Sequence, residues 1–332
     1  MQMRKLGAQG PTISALGYGA MSFTDFYGPA TEEGSHAILD TARDLGVTHI
    51  DTSNFYGAGR SERWIGSYLA AHPGARDSFH IATKAGITRD AEGRRFYDNS
   101  LAHFEAELDG SLKRMGIDHV DLYYCHRRNP DVPIEDVAGA LDSLRRKGKV
   151  GGIGFSEIAP SSLRRAASVA HVDAVQSEYS LQTRAPELGL VQTCAELGTA
   201  LVAFSPVGRG LLTDTPPDAA KVMVTAFLKG NPRFQAPNLA ANLAYNARFR
   251  ALAAEAGEPA AALAIAWVLS RGEQVFAIPG TRSPEHLRDL ARGAAITLSA
   301  SDLARIEAVL PPGWCHGDRY NDDQWIGPER FC

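Results

Sequence analysis

Eight times along this chain a short apolar run gives way to a segment with helical punctuation. No other feature restricts the fold as much. The runs are Ile13–Gly19, Val47–Asp51, Phe79–Lys84, Val120–His126, Val150–Phe155, Ala174–Gln176, Ala200–Phe204 and Gln274–Pro279. Between them, Thr31 followed by Glu32 and Glu33 reads as a helix start, and Leu45–Gly46 as its stop. Arg60–Ala71, Tyr97–Met115 before Gly116, Pro133–Lys147, Pro160–Ala170, Pro186–Leu197 and Pro284–Arg292 read as further helices. A chain of 332 residues with 44% hydrophobic content has ample core for one α/β domain over 1–332. The alternation predicts a (β/α)₈ barrel.

The competing architecture is a doubly wound sheet, which usually carries G-x-G-x-x-G after its first strand. Gly17-Tyr18-Gly19-Ala20-Met21-Ser22 misses that spacing, and the Gly151–Gly154 cluster does too. Three segments exceed a minimal barrel. Met1–Thr12 is expected to form a short hairpin closing the amino end of the barrel. Ser205–Asn242, rich in Pro, Gly and Asn, is expected to be a long functional loop. Pro311–Cys332, after a last helix at Asp302–Leu310, is a tail rich in Trp, Tyr, Gly and Pro.

The net charge of −4 shows no bulk basicity, and Arg145–Lys149 and Arg164–Arg165 fall on helix faces or ends. No nucleic-acid partner is expected. Cys125, Cys194, Cys315 and Cys332 form no C-x-x-C pair, so neither a metal site nor a redox dithiol is expected. Met1–Gly10 has no apolar leader core, and Ala260–Leu269 is too short to span a bilayer. A cytoplasmic protein with no membrane partner is expected.

Ionisable groups close the early strands. Asp51 ends one run with Tyr56 five residues on, Lys84 ends the next, and His126 the one after. The carboxyl ends of barrel strands are where such an enzyme builds its site. A free phenol has a pKa of about 10. Lys84 beside Tyr56 is expected to favour the phenolate and lower that value, with Asp51 balancing the ammonium. His126 is a candidate to hydrogen-bond a substrate oxygen. Phe23, Phe26, Tyr27, Phe96, Tyr97, Trp314, Tyr320 and Trp325 are candidates to line a substrate pocket around Tyr56 and His126.

With these residues the chain resembles the aldo-keto reductase superfamily over nearly its full length. The motifs that carry the likeness are Leu16–Met21, Gly46–Gly57, Ile81–Lys84, Asp121–His126, Gly148–Ser156, Phe204–Leu211 and Ile278–Arg282. The run His126–Glu135 looks like the microbial branch that includes pyridoxal-reductase-like proteins. The resemblance implies NADPH-dependent reduction of an aldehyde or ketone, with Tyr56 as general acid supported by Lys84, Asp51 and His126. It also implies a cofactor site. Phe204 would stack on the nicotinamide, and Ser156 and Gln176 would fix its carboxamide. Ser205, Val207, Gly208, Arg209, Gly210 and Leu211 would track the pyrophosphate. Gly19, Met21, Asp51, Ile278, Gly280, Thr281, Arg282 and His286 would complete the contacts, with Arg282 toward the 2′-phosphate. Glu157 stands where relatives carry Asn, and His286 and Leu290 stand at adenine-contacting positions.

Two other classes share this pattern. One is a cofactor-sensing regulatory protein on the same fold. The other is an aldolase barrel with Lys84 as a Schiff-base lysine. Turnover of NADPH and borohydride trapping separate the three.

Overall fold

The computed structural model describes residues 1–330 and 332. The apolar runs pair as one parallel sheet of eight strands: β1 (Tyr18–Gly19), β2 (His49–Asp51), β3 (His80–Ala85), β4 (Val120–Cys125), β5 (Val150–Ser156), β6 (Ala174–Glu178), β7 (Ala200–Phe204) and β8 (Val275–Ile278). Neighbours in sequence are neighbours in the sheet. The sheet closes where Leu16 bridges Ala277 and where the Gly19 amide donates to Pro279 O at 3.0 Å. The expected barrel is formed.

A hairpin of Met3–Lys5 with Thr12–Ser14 precedes the barrel, as expected. Its Leu6 and Ile13 pack into the barrel interior with Ala82, Leu122, Tyr124, Val202 and Phe276. The expected first strand, Ile13–Gly19, is therefore divided between hairpin and barrel. The Ser14 hydroxyl marks the break by donating to Leu16 O at 2.6 Å.

The period of two along each strand sorts the side chains. Ile50, Ile81, Tyr123 and Val175 face the surrounding helices, in the larger core. Their strand neighbours face the axis. Those positions include His49, Asp51, Lys84, Tyr124, Ser156, Gln176 and Phe204. Small residues make room there. A Cβ at Gly154 would lie 2.6 Å from the Tyr124 ring.

Outside run α1 (Glu32–Asp44), α2 (Arg60–Ala71), α3 (Leu101–Met115), α4 (Ile134–Arg146), α5 (Pro160–Ala167), α6 (Leu190–Leu197), α7 (Asn238–Glu255), α8 (Ala260–Leu269), α9 (Pro284–Gly293) and α10 (Ala300–Val309). Thr31 caps α1 by accepting from the Gly34 amide. The third helix starts later than expected. Ser100 caps it, and Arg95–Tyr97 instead pairs with Ile87–Arg89 in a second hairpin. The segment 205–242 is not an open loop. It holds short helices at Ala219–Val224 and Ala226–Gly230 and the start of α7. The apolar run Ala260–Leu269 is buried at every residue, so it is a core helix. Among the described residues no single helix is long and apolar enough to cross a membrane.

Candidate active site

Strand ends bring the four ionisable groups together. Lys84 Nζ, at the end of β3, forms an ion pair with Asp51 Oδ1 at the end of β2. It also donates to Thr52 O at 2.9 Å and to the Tyr56 hydroxyl at 3.3 Å. All three ammonium hydrogens thus have acceptors, which a buried cation requires. Gln176 Nε2 donates to the other Asp51 oxygen at 2.8 Å. Asp51 is held on both oxygens.

His126 follows β4. Its ring stands edge-on to Tyr56, with centroids 5.6 Å apart. Its Nδ1 is 3.1 Å from the Ser53 hydroxyl. Burial first, then the positive charges of Lys84, Arg127 and Arg95, hold the imidazole well below its ordinary pKa. It is neutral near pH 7.

The electrostatics of Tyr56 depart from the sequence expectation. Lys84 does pull the phenol pKa down, but burial is the larger effect and the pKa is raised. Burial also works against the Lys84 ammonium. There the Asp51 carboxylate and the phenol outweigh it, so the lysine pKa is raised as well. Tyr56 is protonated and Lys84 charged near neutrality.

The expected cofactor residues are spread along the same rim. Gly19 ends β1, Met21 lies in the turn after it, and Gly280 follows β8. A Cβ on Gly280 would come within 2.7 Å of Gly19 O. Ser156 Oγ, at the end of β5, accepts from Arg127 at 2.9 Å. Phe204 is half-buried at the end of β7, and Ile278 is buried in the barrel interior. Ser205 and Arg209 have φ of 50° and 56°, and Glu157 after β5 has 59°. Together with Ala58 these are all the positive-φ non-glycines among the described residues, and each lies past the carboxyl end of a strand. Such backbone is costly for side chains with a Cβ and clusters at functional sites.

Ser283 caps α9 by accepting from the His286 amide, with Pro284 in the first turn. Arg282 is exposed beside that cap and donates to Pro29 O at 3.0 Å. Thr281 O accepts from the buried Tyr18 hydroxyl at 2.6 Å. His286 is exposed, whereas Leu290 is buried in the helix-side core and is no surface contact.

Five residues are placed differently from expectation. Arg209 does not stand free for phosphate. Its guanidinium pairs with Glu178 Oε2 at 2.6 Å and donates to the Tyr27 hydroxyl at 3.0 Å. Leu211 and Gly208 are buried, with Leu211 packed against Phe234 and Val222. Phe23 is buried against Tyr18, with centroids 5.2 Å apart, because the turn after β1 folds back onto the core. Trp314 is buried on Tyr245 and donates its indole N–H to Leu181 O at 2.7 Å. Phe23 and Trp314 therefore pack against the fold. Phe26 and Tyr27 are half-buried, with Phe26 against Phe227 at 5.0 Å.

Sequence reading missed two charged clusters at this rim. In the first, Glu178 at the end of β6 meets Arg209 and, at 3.2 Å, Arg233. Burial opposes the Glu178 charge, but the arginines win and hold its pKa at about 2. In the second, Glu157 meets Arg319 of the tail at 2.6 Å and Arg127 at 3.7 Å. Tyr320 is buried between the clusters, with Arg209 and Arg319 over its ring. The tail is fastened further by Arg128–Glu329 at 2.7 Å and by the Tyr97 hydroxyl donating to Ile326 O. The one available sequence signal was parity. Glu178 lies two residues past Gln176, on the same inward face.

Residues 15–311 match the model of the Aldo/keto reductase family. "Probable aldo-keto reductase 1" from Glycine max is 38% identical over 96% of this chain and 92% of its own length. "Aldo-keto reductase yakc [NADP(+)]" from Schizosaccharomyces pombe is 36% identical over 96% and 94%. Among solved structures, the glycerol dehydrogenase AKR11B4 from Gluconobacter oxydans superposes with a TM-score of 0.82 at 25% identity, covering 93% of this chain and 94% of that one. The holo form of aldo-keto reductase AKR11C1 from Bacillus halodurans shares the fold with a TM-score of 0.78 at 24% identity, covering 98% and 99%. With the tetrad assembled at the carboxyl end of an eight-stranded barrel, and with these matches along its length, the chain belongs to the aldo/keto reductase family.

Proposed function

We propose that this protein reduces an aldehyde or ketone to the alcohol with NADPH, reversibly, with Tyr56 as the proton donor. The observation that carries the reading is the contact of Tyr56 with a lysine paired to Asp51, which Gln176 holds on its other oxygen. The cofactor supplies the hydride. The remaining work falls to the chain's own groups. Tyr56, protonated at rest, gives its proton to the substrate oxygen, and Lys84 stabilises the phenolate left behind. Asp51 keeps that ammonium aimed and charged. His126 Nδ1 meets Ser53 Oγ, and in the tautomer that carries its proton on Nε2 the neutral ring presents Nε2–H to the same substrate oxygen.

The residues present fit NADPH. Gln176 spends its amide nitrogen on Asp51, which leaves Oε1 to accept a carboxamide N–H. Ser156 accepts from Arg127 and keeps its own O–H to donate. Glu178 is shared by two guanidiniums, so that cluster carries surplus positive charge beside the loop that the family resemblance gives to the diphosphate. Arg282 beside the α9 cap suits a 2′-phosphate. The named relative marked NADP(+) agrees with this choice. The four free cysteines suit a reducing compartment, and the cytoplasm is the location we assign.

The test is NADPH oxidation with a reactive aldehyde such as 4-nitrobenzaldehyde. Steady turnover that Tyr56→Phe abolishes is the expected result. Tight NADPH binding without turnover would instead leave a cofactor-sensing regulatory protein. Covalent attachment of a carbonyl substrate to Lys84 when borohydride is added would point to the aldolase chemistry.

A further inference from the structure

Arg127 follows the imidazole that faces the substrate oxygen, and its guanidinium is held on one edge only. Nη1 donates to His126 O at 2.7 Å and to Ser156 Oγ at 2.9 Å. The other edge, Nε and Nη2, makes no hydrogen bond among the described residues. Glu157 Oε2 lies 3.7 Å from Nη2, beyond hydrogen-bond reach, and itself makes no hydrogen bond. That carboxylate is already committed through Oε1 to Arg319 at 2.6 Å. Two largely buried guanidiniums thus share one carboxylate, with side-chain exposures of 15% for Arg127 and 4% for Arg319.

The rest of the neighbourhood does not balance this charge. Lys84 is cancelled by Asp51, and Arg128 by Glu329. Arg95, on the hairpin above, donates to a backbone carbonyl, Asp323 O, at 3.0 Å. Besides burial, the charges that lower the His126 pKa are those of Lys84, Arg127 and Arg95. A buried surplus cation is costly unless an anion meets it. A planar edge with two spare donors matches a carboxylate.

We propose that Arg127 is a specificity-determining residue that receives a carboxylate carried by the carbonyl substrate, so the enzyme favours aldehydes or ketones bearing an acid group. The parallel with the first cluster supports this. There Arg209 and Arg233 share Glu178 beside the proposed diphosphate loop. Here the same two-to-one arrangement stands beside Tyr56 and His126. The inference rests on the carbonyl-reductase reading.

The experiment compares 2-, 3- and 4-formylbenzoate with their methyl esters at saturating NADPH, with 4-nitrobenzaldehyde as a neutral reference. The three isomers set the carboxylate at increasing reach from the reacting carbon. In the wild-type enzyme at least one acid should exceed its ester by about tenfold in kcat/KM, chiefly through KM. Arg127→Met should bring that ratio to within about threefold of one. Arg127→Lys, which keeps the charge and loses the fork, should lower it by at least about threefold. Far-UV circular dichroism and melting temperature report whether each variant is folded, and should Arg127→Met not fold, the lysine variant decides. A wild-type ratio near one for every isomer overturns the proposal, as does an unchanged ratio in Arg127→Lys. Turnover of 4-nitrobenzaldehyde alongside either result would leave the reductase reading intact. No turnover of any compound would remove both.

Discussion

Strands β2 and β3 carry a pair of ionisable residues at each end, and the two ends treat burial in opposite ways. At the amino end His49 and His80 face each other with their Nδ1 atoms 3.0 Å apart. Both are buried, and burial leads the causes that lower both pKa values. One imidazole donates and the other accepts, and neither is charged. At the carboxyl end Lys84 and Asp51 are as deeply buried, yet they meet as an ion pair. Burial alone therefore does not set the charge state. A complementary partner within contact, with the remaining donors satisfied, does. The neutral end stabilises the barrel. The ionic end keeps a charge ready beside Tyr56.

The sharpest way to break this contrast is Lys84→Met. Asp51 would stay buried with only the Gln176 amide for company. Removing one partner of a buried pair costs about 3–5 kcal/mol, so urea denaturation should show a loss of that size. Turnover should collapse with it, and its pH–rate profile should change because the phenol loses its cation. A variant as stable as wild type, with the same profile, would put the ion pair outside both stability and catalysis. Asp51→Asn should cost less activity, because the lysine remains.

Tyr56→Phe separates chemistry from stability at the same end. It keeps the ring and removes the transferable proton. We expect kcat to fall at least about a hundredfold, the lower end of what a positioned acid supplies. Melting temperature and NADPH affinity should barely move. Wild-type turnover in a chemistry-limited assay would remove Tyr56 from the role of donor.

The amino end is tested by acid. The folded pKa values of His49 and His80 lie below the unfolded value of about 6.5. Between those values the unfolded chain binds more protons, so stability is complete above about pH 6.5 and falls as the pH drops through the window. Each histidine can contribute up to about 1.4 kcal/mol per pH unit there. His126 is also buried neutral and contributes with the same sign, so the decisive quantity is a difference. His80→Asn should show a shallower loss of stability than wild type between pH 6.5 and 5, with kcat at pH 7 little changed. Identical slopes would mean the pair is not held neutral by the fold.

The same contrast explains what the sequence could reveal. A pleat of period two and a strand end suffice to bring Asp51, Lys84 and His126 to one mouth, because neighbouring strands share a register. The eight strands were legible for the same reason. Where contacts cross long stretches of chain, local pattern is silent. Glu157 and Arg319 are 162 positions apart, and nothing near either names the other. Arg209 sits in a motif that suggests phosphate, yet its first partner is Glu178. The helical residues that follow Tyr97 make it look helical too. Its pairing with Ile87 is set by a turn at 90–94 that the helical pattern hides. Phe23 and Trp314 look like pocket residues in the sequence because loops at a barrel mouth often line one. Their burial depends on how those loops fold back, which composition does not record.

Arg282 is the smallest test and the most exposed. It stands at the carboxyl end but belongs to neither kind of pair, since its partner is the Pro29 carbonyl and not a carboxylate. It forms no ion pair among the described residues, and Asp25, which feels its charge, is paired with Arg60. The α9 N-terminus beside it adds partial positive charge, and an exposed site gives such a terminus about 0.3–1 kcal/mol of preference for an anion. A hydrogen bond to a charged group adds roughly 1.5–3 kcal/mol where it is shielded and less in water. NADPH carries the 2′-phosphate and NADH lacks it, so only NADPH gains. The preference should be about tenfold, equivalent to about 1.4 kcal/mol, and should shrink as salt rises. Arg282→Ala should weaken NADPH by about that factor and leave NADH nearly unchanged, measured as Kd by fluorescence titration. His286, exposed on the same helix, is common to both cofactors and should not alter the ratio. Equal losses for both would show that Arg282 reads no phosphate and only ties the β1 turn to α9.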